Sequence, residues 1–287
     1  MEIITKFAPI ALFYIMLGIG MSTNIKDFAE VLKNLKALLI GLTSQIIILP
    51  CIGFLFAIFA TNDPVLKVGI ILITSMPSAV SSNYISKLAN GNIALSVSLT
   101  AISAILSFIT IPFIFIVISP MIISENTVLQ DLKFLKMSGG LLLMTTVPVF
   151  IGIFISTKFS IFAEKISKFF SYSSLFLFLL IIIGAWISEW STVNELYKSI
   201  GFLLLVLTVA ILIIVNILVN IFNLKLQNKR TIIIETLIQN GAMAIIVGEL
   251  TLGFGVGYMS VAAIYALMQY KILLIWWGTK KFALNKQ

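Results

Sequence analysis

Glu235, Gln239, Asn240 and Gly241 interrupt an otherwise apolar stretch that runs from Thr231 to Leu252. A carboxylate at the centre of a membrane-spanning helix costs about 2.5–3.5 kcal/mol on insertion scales, so it normally faces a polar cavity, an ion or a partner. Two chemistries fit that placement. Either the acid binds a cation on a buried pathway, or it stays a neutral, protonated carboxyl bonded to a neighbouring helix. A second polar run, Ser75-Met76-Pro77-Ser78-Ala79-Val80-Ser81-Ser82-Asn83, breaks another apolar segment. Beyond it stand Ser96 and Thr100, four apart and therefore on one helix face. Their hydroxyls, the Asn83 amide oxygen and Glu235 are hard oxygen donors of the kind a monovalent cation needs when it sheds water. No soft ligand accompanies them, which argues against a transition-metal site.

Such residues need a membrane scaffold, and the composition supplies one. Of 287 residues, 60% are hydrophobic and only 10% charged, with a mean hydropathy of +1.14. These values describe an all-α polytopic membrane protein rather than a soluble domain. The single cysteine, Cys51, excludes a disulfide within the chain and any multi-cysteine metal site. The absence of histidine argues against zinc catalysis and Ser-His-Asp chemistry. The net charge of +8 comes from lysines scattered between apolar spans, without a basic stripe. Anionic lipid, not nucleic acid, is the partner this pattern suits. A membrane enzyme is the weakest reading, because Glu235 has no evident nucleophile or metal partner.

Apolar runs of about 20 residues predict nine spans, near 3–21, 37–60, 65–89, 92–119, 137–156, 169–190, 200–222, 231–253 and 257–278. The first reads as a retained span rather than a removable signal. Short surface helices are expected at 24–34 and 162–170. Taking the third and eighth segments as broken single spans puts five basic residues, Lys6, Lys67, Lys133, Lys136 and Lys198, on the side of the N-terminus, and thirteen on the other. Cytoplasmic loops collect Lys and Arg, so the N-terminus is expected outside and the C-terminus in the cytoplasm. The two breaks lie five spans apart and so cross the membrane in opposite directions, as in an inverted repeat whose discontinuous helices meet near the midplane. The first repeat covers about 1–120 in four spans and the second about 130–280 in five. The repeat is then incomplete by one N-terminal helix, within a single transporter unit of 1–287.

Four motifs carry a resemblance across nearly the whole chain. They are Gly18-Ile19-Gly20-Met21 with Gly41-Leu42-Thr43-Ser44-Gln45 and the residues up to Pro50, then Pro77-Ser78-Ala79-Val80-Ser81-Ser82-Asn83, then Asn90-Gly91-Asn92-Ile93-Ala94-Leu95-Ser96-Val97-Ser98-Leu99-Thr100, and Glu235-Thr236-Leu237-Ile238-Gln239-Asn240. In this order the chain resembles bacterial members of the bile acid:sodium symporter family. The resemblance implies two sodium ions where the broken helices cross. One would be held by Ser82, Asn83, Ser96, Thr100 and Glu235. The other would use the side chains of Gln45, Gln239 and Glu235 with the backbone carbonyls of Thr236 and Ile238. It also implies a core domain, spans 2, 3, 4, 7, 8 and 9, and a panel domain, spans 1, 5 and 6, with substrate between them near Asn83, Asn240 and Ser78. Three places depart from the family pattern: Ser78-Ala79 and Leu237 where relatives often have glycine, and Gln269-Tyr270 where they often have His-Asn.

Lys271 admits two readings, a stem that snorkels to the membrane surface or a positive counter-charge for an anionic substrate. The expected function is sodium-coupled import of a small organic anion across a bacterial plasma membrane, with no covalent chemistry. The alternatives are a proton-coupled or uncoupled organic-anion exporter of the same fold, and a membrane receptor that binds without transporting.

Overall fold

In a computed structural model of the chain, residues 2–23, 30–32, 35–59, 61–122, 134–188, 190–252 and 256–284 are described. The long apolar runs become helices, as their length and hydropathy dictate. These are α1 (Glu2–Ser22), α2 (Leu35–Phe59), α3 (Pro64–Thr74), α4 (Val80–Leu88), α5 (Ile93–Ile122), α6 (residues 134–158), α7 (Ser160–Ser188), α8 (Trp190–Ile221), α9 (Leu226–Leu237), α10 (Gly241–Leu252) and α11 (Val256–Leu284). Among the described residues no strand forms, and five helical stretches are long and apolar enough to cross a membrane: Leu35–Phe59, Ile93–Ile118, Met137–Lys158, Val193–Ile221 and Ser260–Gly278.

The third and eighth apolar segments are interrupted where the polar runs fall. One gives α3 and α4, the other α9 and α10. Pro77 lacks an N–H and disfavours helix at Met76 before it, which stops α3 from running on into α4. The surface helix expected at 162–170 is instead the first part of α7, which is continuous because no Gly or Pro interrupts residues 160–183. The helix expected at 24–34 falls largely outside the described residues.

Two helices carry a π-helical turn, Ser44–Ile48 in α2 and Leu142–Thr146 in α6. Both turns begin six residues before a proline, Pro50 and Pro148. A proline in a helix withholds one N–H and crowds the carbonyl four residues earlier, and a widened turn accommodates both. In α2 that turn carries Gln45 and packs against α9.

Helix α1 lies along α6 and α7, and their contact is close enough to require glycine. A Cβ on Gly20 would lie 2.1 Å from the Val149 carbonyl oxygen, and one on Gly152 would lie 2.4 Å from that of Leu17. Elsewhere α8 runs against α11, α3 packs between α2 and α11, and α9 touches α2, α4 and α5. Helices α4 and α7 also meet, through stacked rings of Tyr84 and Tyr172 with centroids 6.2 Å apart.

Candidate functional site

The two breaks meet in space. Ser78 and Gln239 form an isolated antiparallel bridge, flanked by Asn240 N–H donating to the Pro77 carbonyl at 2.9 Å and Ala79 N–H donating to the Ile238 carbonyl at 3.2 Å. Backbone that leaves a helix inside a membrane must find such partners, since each unsatisfied group costs several kcal/mol. Helix α11 completes the accounting. Gln269 accepts from Gln239 N–H at 2.9 Å and donates to the Gln239 carbonyl at 3.3 Å, and Tyr265 O–H donates to the Leu237 carbonyl at 3.2 Å.

Beside this crossing the Glu235 carboxylate is buried and surrounded by hydroxyls from three segments. Ser78, in the first break, donates to Oε2 at 2.5 Å, and Thr100 on α5 donates to the same oxygen at 2.9 Å. Ser82 on α4 donates to Oε1 at 2.6 Å, and Ser96 on α5 donates to it as well. Asn83 joins through its amide oxygen, 2.8 Å from Ser96 Oγ and 3.3 Å from Thr100 Oγ1. Four of these partners, Ser82, Asn83, Ser96 and Thr100, are the first ligand set named from the sequence. Ser78 was expected beside the substrate and lies instead, fully buried, on the acid.

Proton counting gives this cluster its chemical character. The four hydroxyls make nine oxygen–oxygen approaches within hydrogen-bond range, to Glu235, to Asn83, to each other and to main-chain carbonyls. A hydroxyl has one proton to give, so at most four of the nine contacts hold a hydroxyl proton, and a protonated Glu235 would add one more. The remaining oxygens face one another lone pair to lone pair. A cation placed among these oxygens would relieve that arrangement.

The second set divides differently. Gln239 Nε2 donates to the Thr236 carbonyl at 2.7 Å and approaches the Glu235 carbonyl at 3.4 Å, so its link to Glu235 runs through the main chain. Its Oε1 has no hydrogen-bond partner, and neither have Thr236 Oγ1 and both amide atoms of Gln45, all of them buried. Buried polar atoms left unmet cost about 1–3 kcal/mol each, so these three oxygens and one amide nitrogen are retained at the expense of stability. The Ile238 carbonyl accepts from Ala79 within the bridge.

Of the expected substrate contacts, Asn83 is half-buried at the edge of the acid cluster. Asn240 is buried and accepts the Met243 N–H at 3.0 Å, satisfying a free donor at the start of α10. Lys271 stands apart on the exposed stripe of α11 with Leu267, Leu274 and Ile275. Its Nζ donates to Tyr197 O–H at 3.0 Å and lies 5.4 Å from the centre of that ring. Lys271→Met is therefore expected to cost about 0.5–1 kcal/mol of stability, the size of an exposed cation–π contact. It should leave any sodium effect on melting unchanged. Melting in sodium and in potassium tests this, and a selective loss of anion binding would assign the ammonium to substrate instead.

The family model described as the sodium bile acid symporter family matches residues 9–195, well over half of the chain. The chain belongs to that family. The matched region ends before the second break, so Glu235 and Gln239 rest on their own geometry. Among relatives of the symporter family, an uncharacterized sodium-dependent transporter of Bacillus subtilis, YocS, is 33% identical over 111 residues, 39% of this chain and 35% of that protein. The human ileal sodium/bile acid cotransporter is 26% identical over 215 residues, 70% of this chain and 61% of its own. A probable chloroplastic sodium/metabolite cotransporter of rice, BASS2, is 26% identical over 162 residues, 56% of this chain and 37% of its own. The matches thus span from about a third to three-fifths of the length of these relatives.

Three features of this site were not read from the sequence. Ser78 as a partner of the acid and Gln269 as the clamp on the second break both come from segments remote in the chain. The bonds between the α4–α5 junction and α9 had a local signal, since Thr231 precedes Glu235 by one helical turn.

Proposed function

We propose that this protein is a sodium-coupled symporter of a small organic anion, working by alternating access with two sodium ions as co-substrates. The observation that carries the reading is the Glu235 cluster, where hydroxyl and amide oxygens from the first break, α4 and α5 crowd one buried carboxylate with too few protons to bridge them. Membership of a sodium bile acid symporter family supports the choice of cation.

In this reading the first ion sits among Ser82, Asn83, Ser96, Thr100 and Glu235, with Ser78 as a further hydroxyl. The second uses the unpartnered oxygens of Gln45 and Gln239. The chain crosses a bacterial plasma membrane nine times as an incomplete inverted repeat, N-terminus outside and C-terminus in the cytoplasm. Helices α1, α6 and α7 form the panel, and the remaining helices form the core. Bound sodium fixes the two breaks, and the substrate, near Asn83 and Asn240 at the panel side, binds more tightly to that fixed form. Coupling is then a difference in binding free energy between empty and ion-loaded states.

The test is the melting temperature of purified protein in sodium chloride against potassium chloride at equal ionic strength, followed by uptake of a labelled bile acid and of pantoate into vesicles with either gradient. A ligand that binds only the folded state stabilises it by mass action, by about 2.7 kcal/mol at one hundred times its Kd. A sodium-specific rise and sodium-driven uptake are expected. Equal melting in both salts, with uptake driven by a proton gradient, would replace sodium by a proton on Glu235.

A further inference from the structure

Asn92, Asn228 and Thr231 make a set of contacts that neither the acid cluster nor the crossing of the breaks uses. Thr231 and Asn228 are buried on α9, Thr231 one turn before Glu235, and Asn92 stands four residues before Ser96 where α5 begins. Asn92 N–H donates to Thr231 Oγ1 at 2.8 Å, the Thr231 hydroxyl approaches the Asn92 carbonyl at 3.2 Å, and Asn92 Nδ2 donates to Asn228 Oδ1 at 3.0 Å. The same Asn92 accepts the Leu95 N–H at 3.1 Å, so one side chain both caps α5 and ties it to α9. Arg230 adds a bond to the Ala89 carbonyl at the end of α4, at 3.0 Å. The approach is tight: a Cβ on Gly91 would lie 2.6 Å from Thr231 Oγ1, and Asn90 before it takes the left-handed φ of 52° that leads the chain out of α4.

An α-helix is stiff over a single turn, about 5.4 Å of its length. A bond at Thr231 therefore sets the rotation and axial position of Glu235, and a bond at Asn92 sets those of Ser96 and Thr100. A binding constellation must hold its ligands within about 0.5 Å to work. We propose that Asn92, Thr231 and Asn228 form a latch that positions the sodium oxygens of α5 against those of α9, without touching the ion. Opening the latch lowers sodium affinity although every ligand residue is still present. This rests on the sodium reading of the Glu235 cluster.

The experiment is a sodium titration of melting temperature, with potassium keeping ionic strength constant, on wild type, Thr231→Val, Thr231→Ser and Asn228→Ala. Thr231→Val is expected to raise the half-saturating sodium concentration about tenfold or more, the usual effect of removing an outer partner of a metal ligand. Asn228→Ala moves it in the same direction and serves as the milder variant should Thr231→Val fail to fold. Thr231→Ser, which keeps the hydroxyl, returns it to the wild-type value. Lower melting in potassium alone, with half-saturation unchanged in Thr231→Val and Asn228→Ala, makes the latch a structural contact only and overturns the proposal. A serine variant that behaves like the valine one overturns it too. Wild type without any sodium response is a different result, because it removes the sodium reading itself.

Discussion

Glu235→Gln is expected to abolish sodium-specific stabilisation while the protein still folds. The amide matches the carboxylate in shape, so the packing around it is kept. Its oxygen still accepts from hydroxyls, and the hydroxyls that faced the lost oxygen can rotate to accept from the new N–H groups. What disappears is the negative charge that, in the proposed reading, concentrates a cation among the hydroxyls of Ser78, Ser82, Ser96 and Thr100. With it goes about 2.7 kcal/mol of stabilisation per site at sodium one hundred times the Kd. Glu235→Ala is the blunter variant, because it leaves a cavity and hydroxyls without an acceptor, at about 1–3 kcal/mol for each buried group left unmet. Melting of Glu235→Gln in sodium and potassium decides the matter. If the glutamine variant keeps the full sodium shift, the carboxylate is not an ion ligand and the cluster is a network of hydroxyls around a neutral acid.

Much of this arrangement is written locally in the chain, and the remainder is not. The helices follow from apolar runs, and the breaks follow from Pro77 and from the cluster Gln239-Asn240-Gly241, because proline and polar residues at membrane depth leave the backbone few alternatives. Ser96 and Thr100 could be paired from a spacing of four. Ser78 could not be paired with Glu235 in that way, since 157 residues separate them and the expected repeat brings the two breaks together without pairing individual side chains. Their meeting depends on how α3, α4, α9 and α10 pack, which is a property of the assembled fold. Gln269 is similar: its position looked like a departure at the substrate, yet its amide satisfies both polar groups of the Gln239 peptide. The surface helix placed at 162–170 shows the opposite error. It was expected as a separate joining piece, but no Gly or Pro intervenes before Gly184 to end the helix.

Gln45→Leu is expected to move two measured quantities in opposite directions. Both amide atoms of Gln45 are buried without a hydrogen-bond partner, on the π turn that packs against α9. Replacing such a group with an apolar one of similar volume removes a penalty of about 1–3 kcal/mol, so the variant should melt higher than wild type in potassium. In sodium the order should narrow or reverse, because the variant lacks one oxygen of the proposed second ion site. On the two-ion proposal the titration itself should change shape, from the steep dependence of two ions to that of one at the Glu235 cluster. Should Gln45→Leu melt lower in potassium and titrate with sodium as steeply as wild type, the amide serves helix packing and the second site lies elsewhere. If the two-ion proposal holds, Gln45→Leu moves one ion instead of two per cycle, so the same sodium gradient should drive a smaller accumulation of anion, which vesicle uptake at fixed gradient measures directly.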